Sequence, residues 1–513
     1  MPKPFDFGGV NLTAGEESGM ASPTAETPFC VAILGDFSGR KNRKISDPGS
    51  IAQRRAILID RDNFDEVLSR LHPELNLSLG EGGSLRLRFS ELDDFHPDRI
   101  FENLEAFATL RGLRTRLEDP SSFKAAAEEL GLRASPAPAA TPKDQPIETR
   151  RAPSAVALAS GSLLDDMIEQ TESRVSEQSA RRASDPVREF AQRVAAQHLV
   201  SAPDPRQPEI LAVMDRTIGA LMRAVLHNPD FQALEAVWRA VFLLVRQIDT
   251  SSQLKLYVID ISKGELVADL STAKDVRDSG AYRLLVEKSV GTAGADPWSV
   301  LVGAFSFDGQ DDDAIVLARM GAIADRAGAP FLAEGSPHLL GCAALAAAPH
   351  PRDWRESQEQ SRWPELRRLP VAKSIGLALP RFVLRLPYGK KTSSLESFDF
   401  EEFTESAGHE DYLWGNPAFV LALLLAQSFS GSGWEMRVGD VAELSGLPLH
   451  ISRKDGNPEM KPCAEVLLTE DAVEQIVNSG LMSLVSFKNR DAVRVARFQS
   501  IADPPAALAG RWI

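Results

Sequence analysis

A proline- and alanine-rich tract over residues 134–160 constrains this chain more than any other feature. It includes Ser135-Pro136-Ala137-Pro138-Ala139-Ala140-Thr141-Pro142 and keeps neither the period of a helix nor that of a strand. Its prolines favour extended polyproline II over a compact coil, and at ~3 Å per residue it reaches several tens of ångströms. Such a tract does not belong inside a packed core, so it reads as a linker between two folded parts. Length points the same way: 513 residues are too many for one core. A prior of ~100–200 residues per domain gives about three units.

Composition excludes several classes. With 43% hydrophobic residues the chain has enough apolar side chains to build real cores. A net charge of −15 repels a phosphate backbone and argues against general nucleic-acid binding. Cys30, Cys342 and Cys463 are far apart and form no Cys-x-x-Cys, which fits buried thiols in a reducing compartment. Residues 1–28 are polar, carry Glu16, Glu17 and Glu26, and lack the basic-then-apolar order of a signal peptide. They read as a disordered tail. The longest strongly apolar run, 418–426, is too short to cross a bilayer, so no direct membrane insertion is expected. The expected location is cytoplasmic.

Periodicity supplies the elements. Residues 29–34 are a short apolar run closed by Gly35, the pattern of a buried strand. Four positive charges follow within five residues: Arg40, Lys41, Arg43 and Lys44. Asp62 or Asn63 is placed to cap a helix running to about residue 71. Residues 85–89 alternate apolar and basic, as a half-buried strand does. Over 98–117, Ile100, Leu104, Phe107, Leu110 and Leu113 keep one helical face. Residues 162–177 place Leu163, Leu164, Met167 and Ile168 on one face of an isolated amphipathic helix with little to pack on in its own segment. Two long helices, 209–226 and 231–248, are broken at Asn228-Pro229. Strands are expected at 254–261, 298–307, 331–333, 377–384, 464–468 and 484–487. Helices are expected at 312–327 and from Asn416-Pro417 to about residue 429. The alternation predicts an α/β core with helical additions.

No chemistry-bearing constellation accompanies this much fold. The turn after Gly35 invites a phosphate-loop reading, but Arg40 stands where the second glycine must be. Ser430-Gly431-Ser432-Gly433 is not a nucleophile elbow and reads as a turn after a helix. His338 and Cys342 have i, i+4 spacing without further ligands. Asp311-Asp312-Asp313 reads as a solvated helix start, and Asp93-Asp94 as helix capping. The seven tryptophans are dispersed, as core residues are. No catalytic, cofactor-binding or metal-ligating residue is assigned, and no enzyme activity is expected.

The ordered blocks carry a resemblance instead. Val31 through Arg40, then Arg61-Asp62-Asn63-Phe64-Asp65-Glu66-Val67, then Phe89-Ser90-Glu91-Leu92-Asp93-Asp94-Phe95-His96-Pro97 resemble the small subunit of the type VI secretion contractile sheath. The later part is similar to the large sheath subunit. Its blocks are Leu163-Leu164-Asp165-Asp166-Met167-Ile168, His227 through Arg239, Leu379 through Gly389, Tyr412-Leu413-Trp414-Gly415-Asn416, Gly446-Leu447-Pro448 and Phe487-Lys488-Asn489. The resemblance implies sheath-type mixed α/β domains, a small-subunit-like module docked on a larger one. The boundaries are a tail 1–28, a small-subunit-like domain 29–133, a linker 134–160, a helical region 161–208 and a large-subunit-like domain 209–513.

The same resemblance implies a fused protomer that stacks around an inner tube protein and contracts to deliver effectors. Its implied partners are other sheath subunits, the inner tube, the baseplate and an AAA+ disassembly ATPase. Arg40, Lys41, Arg43 and Lys44 are candidates for pairing with an acidic neighbour across a protomer contact. Leu163, Leu164, Met167 and Ile168 are candidates for partner docking, against the alternative that this helix packs on its own large-like domain. The large subunit normally continues past the Phe-Lys-Asn region. The stop at Ile513 therefore raises a second expectation, an accessory, cap or terminator of the same machine that does not polymerise by itself. A third is an unrelated enzyme using the Gly35 to Lys44 turn as an anion site, which nucleotide binding lost in Arg40→Ala would support.

Overall fold

Phe29-Cys30-Val31-Ala32-Ile33-Leu34 is apolar at every position, so a strand here must be covered on both faces. In the computed structural model it is. The described residues are Phe7, 22–78, 84–130, 204–292, 294–354, 362–405, 407–454 and 457–512. Strand β1 (Phe29–Gly35) is buried along its whole length. It lies parallel to β5 (Leu254–Asp260) on one side and to β6 (Trp298–Phe307) on the other. Phe29 pairs with Leu254 and Gly35 with Asp260, while Val31 pairs with Val300.

Among the described residues the sheet has nine strands. Beyond β6 come β7 (Phe331–Gly335), β8 (Ile375–Leu379) and β14 (Met482–Ser486), all parallel. Antiparallel strands finish the edges: β2 (Ile57–Ile59) beside β5, and β15 (Ala492–Val495) then β11 (Glu443–Ser445) beside β14. Three small two-stranded sheets are added: β3 (Glu74–Ser78) with β4 (Ser84–Arg88), β9 (Phe382–Val383) with β10 (Trp414–Gly415), and β12 (His450–Lys454) with β13 (Asn457–Lys461).

Alternate residues of β1 enter two different cores. Phe29, Val31 and Ile33 face one cluster, while Cys30, Ala32 and Leu34 face the other. On the first face pack α1 (Phe64–Leu71), α2 (Pro97–Asn103), α3 (Glu105–Glu118), α4 (Phe123–Glu129), α5 (Gln207–Leu226), α6 (Pro229–Gln247) and α9 (Ala418–Ser432). On the second pack α7 (Lys263–Thr272), α8 (Asp311–Ala327) and α10 (Glu470–Asn478). Phe64, Leu75, Phe95 and Phe107 share the first cluster with Met214, Phe231, Trp238 and Phe419. Docking of the two modules therefore takes the form of one shared sheet with a shared core on each face.

Local signals explain several helix starts. Asn228 accepts from the backbone N–H groups of Asp230 and Phe231 and precedes Pro229, so α6 starts where the sequence places it. Asn416 likewise accepts from Ala418 N–H. Asn63 caps α1 by position, but its side-chain oxygen accepts from Asp60 N–H instead.

Several expectations need correction. The helix expected over 98–117 is two helices, because Leu104 is extended (φ −82, ψ 125) and turns the chain while keeping its own side chain buried. The strand expected over 377–384 is interrupted, since Pro380 has no N–H to extend the ladder. Residues 464–468 form no strand; a single bridge joins Ala464 to Phe382. Ser430 through Ser432 belong to the last turn of α9, closed by Gly433 at φ +57. Within the tail expected to lack order, Phe7 is buried in the second core, and Thr27 O accepts from Trp434 Nε1 at 2.7 Å. The linker 134–160 and the helix expected at 162–177 lie outside the described residues.

Candidate functional site

The chemistry of this chain concentrates where the 29–130 part meets the rest. The turn after β1 begins it. Asp36 accepts from the backbone N–H groups of Arg40 (2.6 Å) and Lys41 (2.8 Å). Asp260, at the end of β5, accepts from the N–H groups of Phe37 (2.9 Å) and Ser38 (3.1 Å) and from the Ser38 hydroxyl (2.7 Å). Four amides that an anion would use are thus already satisfied by carboxylates. Gly39 sits at φ +76, and a Cβ there would come 2.3 Å from Glu74 O, so only glycine fits the turn.

Arg40 closes the same turn. Its Nε and Nη2 donate to Glu265 at 2.8 and 2.7 Å, a bidentate pair. Arg54 donates to the same carboxylate at 2.6 and 3.2 Å, and to Asp260 O at 2.7 Å. Glu265 has no exposed side-chain surface. Burial opposes its ionisation, yet hydrogen bonds from Arg40 and Arg54, then from Asp47 N–H and Ser262 N–H, hold the carboxyl well below the usual range. Its hydrogen bond to Glu265 raises Arg40 in turn. Glu265 also completes a capping box with Ser262 at the start of α7. The Ser-x-x-Glu spacing announces that helix start; nothing in the spacing announces the two arginines.

The rest of the basic stretch divides. Asn42 donates to Asp230 at 2.8 Å, tying it to α6. Arg43 donates through Nη2 to Ser38 O, and its buried Nε has no partner. Lys41 and Lys44 are exposed, Lys44 in the left-handed region at φ 56. Of the four cations singled out in the sequence, Arg40 is thus engaged within the chain, and the two lysines face outward. Leu163, Leu164, Met167 and Ile168 lie outside the described residues.

A second buried network, which sequence reasoning missed, ties α6 to the 381–411 segment. Arg385 donates from Nε to Glu235 (2.8 Å) and from Nη1 to Glu402 (2.8 Å). Arg239 donates to Glu235 at 2.6 Å and to the Tyr388 hydroxyl at 3.1 Å. Tyr388 N–H donates to Glu402 at 2.7 Å. Burial would raise Glu402, but Arg385 first, then His227, pull it down to about 2. His96 meets the Tyr388 ring edge-on at 4.9 Å, bringing the earlier module to this network. Nearby, Arg381 pairs with Glu465, which Trp414's neighbour His409 also contacts at 3.2 Å; against burial these partners hold Glu465 at about 2.

Further bonds complete the seam. Asp98 accepts from Glu396 N–H and Ser397 N–H at 3.1 Å each, Arg114 pairs with Asp215 at 2.7 Å, and Gln207 donates to Leu117 O and Glu118 O at 2.8 Å. The three cysteines are buried; burial pushes Cys30 up to about 12, and Cys342 and Cys463 up to about 11, so none is a ready nucleophile. Among the described residues no group of three or more His, Cys, Asp or Glu could hold a metal ion, and no helix is long and apolar enough to cross a membrane.

The two modules interlock through one sheet and through buried ion pairs such as Arg40 and Arg54 with Glu265, while the Arg385 and Arg381 networks brace the later module itself. The chain belongs to the type VI secretion sheath family: the family described as EvpB/VC_A0108, tail sheath N-terminal domain, matches residues 208–502, and the VipA family of the type VI secretion system (VC_A0107 or Hcp2) matches residues 9–129. It is 34% identical over 304 residues to the type VI secretion system sheath protein TssC1 of Pseudomonas aeruginosa, covering 58% of this chain and 61% of that protein. It is 30% identical over 129 residues to the sheath protein TssB1 of the same organism, covering 23% of this chain and 73% of that protein. The chain thus spans less than two thirds of the length of TssC1.

Proposed function

We propose that this chain is a structural subunit of a type VI secretion contractile sheath, a protomer whose small- and large-subunit-like parts are one polypeptide. The observation that carries the reading is the position of β1. A strand from the VipA-like match lies between β5 and β6 of the VipB-like match, parallel to both, with one register shift against β6 between Cys30 and Val31. The two matches share one sheet, so they act as one building block. Other sheath subunits are its first partners. Assembly around an inner tube, attachment to a baseplate, work from the cytoplasm and dismantling by an AAA+ ATPase belong to the same proposal. A head-to-tail contact that does not close generates a filament, and two packings of one protomer separated in free energy drive a stroke. No substrate turnover is required.

Electron microscopy of the purified chain, alone and mixed with standard sheath subunits, tests this. Tubules containing the chain along their length are expected. Single particles that bind only the ends of standard sheath would overturn the reading in favour of a cap or terminator.

A further inference from the structure

A two-stranded hairpin is marginal on its own, so whatever seats β12–β13 decides whether it stays in place. Ile451, near its open end, is 61% exposed, so apolar burial of that residue contributes little. His450 and Lys461 pair across that end of the ladder. Both reach the 409–414 segment. The Tyr412 hydroxyl lies 2.6 Å from His450 Nδ1. Lys461 Nζ lies 5.1 and 5.3 Å from the ring centroids of Tyr412 and Trp414, and it meets His409 Nδ1 at 2.8 Å.

Donor chemistry fixes the state of His409. A lysine ammonium has no acceptor, so His409 Nδ1 must accept from Lys461. An ionised carboxylate has no donor, so Nε2 carries the ring proton and donates to Glu465 at 3.2 Å. Neutral imidazole does both. A second proton would sit on Nδ1, remove the acceptor and set two cations face to face. We propose that His409 is a pH-operated latch: neutral, it seats the base of β12–β13 through Lys461, and protonated, it releases it. Histidine is the side chain whose charge ordinarily changes between about pH 5 and 8. The other charges around the ring are matched among themselves, since Arg381 pairs with Glu465 and, at 3.2 Å, with Glu410. Burial lowers His450, which favours its neutral form. Glu334 of β7, which interacts with Arg381 and Glu465, is pushed by desolvation up to about 7 and takes its proton in the same range, so it needs a control. The latch concerns one corner of the chain and stands apart from the sheath reading.

Hydrogen exchange of the full-length chain, read by mass spectrometry and corrected for the intrinsic effect of pH on exchange, tests it. Protection of peptides covering 450–461 should fall about tenfold from pH 7.5 to pH 5, while β1 stays protected. His409→Gln can still accept and donate but does not titrate, so it should abolish the fall. Lys461→Met removes the ammonium and should abolish it too, starting from lower protection at pH 7.5. Glu334→Gln should leave the fall in place. Protection of β1 equal to that of the parent protein shows that each variant folds. Constant protection of 450–461 in the parent protein, a full response surviving in His409→Gln or Lys461→Met, or a response lost in Glu334→Gln would each overturn the proposal.

Discussion

Trp238 donates its indole N–H to the carbonyl oxygen of Phe37 at 2.9 Å, although 201 positions separate them. The donor is on α6, and the acceptor lies in the turn that follows β1. Both side chains are fully buried and meet edge-on, 5.2 Å between ring centroids. A buried N–H without a partner is costly, so this bond fixes the turn against the helix.

Trp238→Phe should therefore destabilise the protein by about 1–3 kcal/mol, from a lost hydrogen bond, an orphaned carbonyl and a small cavity. A urea titration followed by circular dichroism reads this as a lower midpoint. An unchanged midpoint would show that the bond does not hold the seam.

Glu265→Gln removes the charge that both Arg40 and Arg54 face. Breaking one partner of a buried ion pair costs about 3–5 kcal/mol, because the remaining charges stay buried. The melting temperature should fall sharply. Lys44→Ala, at an exposed cation with no ion pair among the described residues, should leave it nearly unchanged.

Acid should loosen the second network. Glu402 and Glu465 are held at about 2, against an ordinary value of 4.5. The unfolded chain binds more protons between these values, so stability rises with pH across that window. The contribution is full above 4.5 and is lost as pH falls toward 2, on the order of 3 kcal/mol for each group. Thermal melts from pH 7 to pH 2 should show the steepest loss below 4.5. In Glu465→Gln the slope should be shallower.

Limited proteolysis within residues 134–160 should leave the two pieces together on a sizing column. They should separate only in denaturant, because β1 is hydrogen-bonded on both sides by strands of the other piece. Separation in native buffer would refute the shared sheet.

Local information in the sequence locates the elements but not their partners. The unbroken apolar run at 29–34 announces a strand covered on both faces, and Asn228-Pro229 announces the start of α6, since each is a short-range signal. The three-residue edge strand β2 is too short for periodicity to reveal, as is β11. Leu104 hides the break between α2 and α3, because its side chain stays apolar and buried on either side of the turn. Residues 464–468 carry strand-like composition, yet what that segment contributes is one bridge and the carboxylate of Glu465. The engagement of Arg40 was not legible because Glu265 lies 225 positions away. A cluster of cations looks the same in sequence whether it faces solvent or a buried acid. The contact between His409 and Lys461 was illegible for the same reason, being made across 52 positions.

The central place of β1 also sets an order of events at the ribosome. The strand is made before both of its neighbours, which are encoded some 220 and 260 residues downstream, roughly 10–55 s later at ~5–20 residues per second. During that wait an apolar hexapeptide with both edges open must be kept from pairing with a stranger. Covalent continuity guarantees that the right companions arrive from the same nascent chain, one for one.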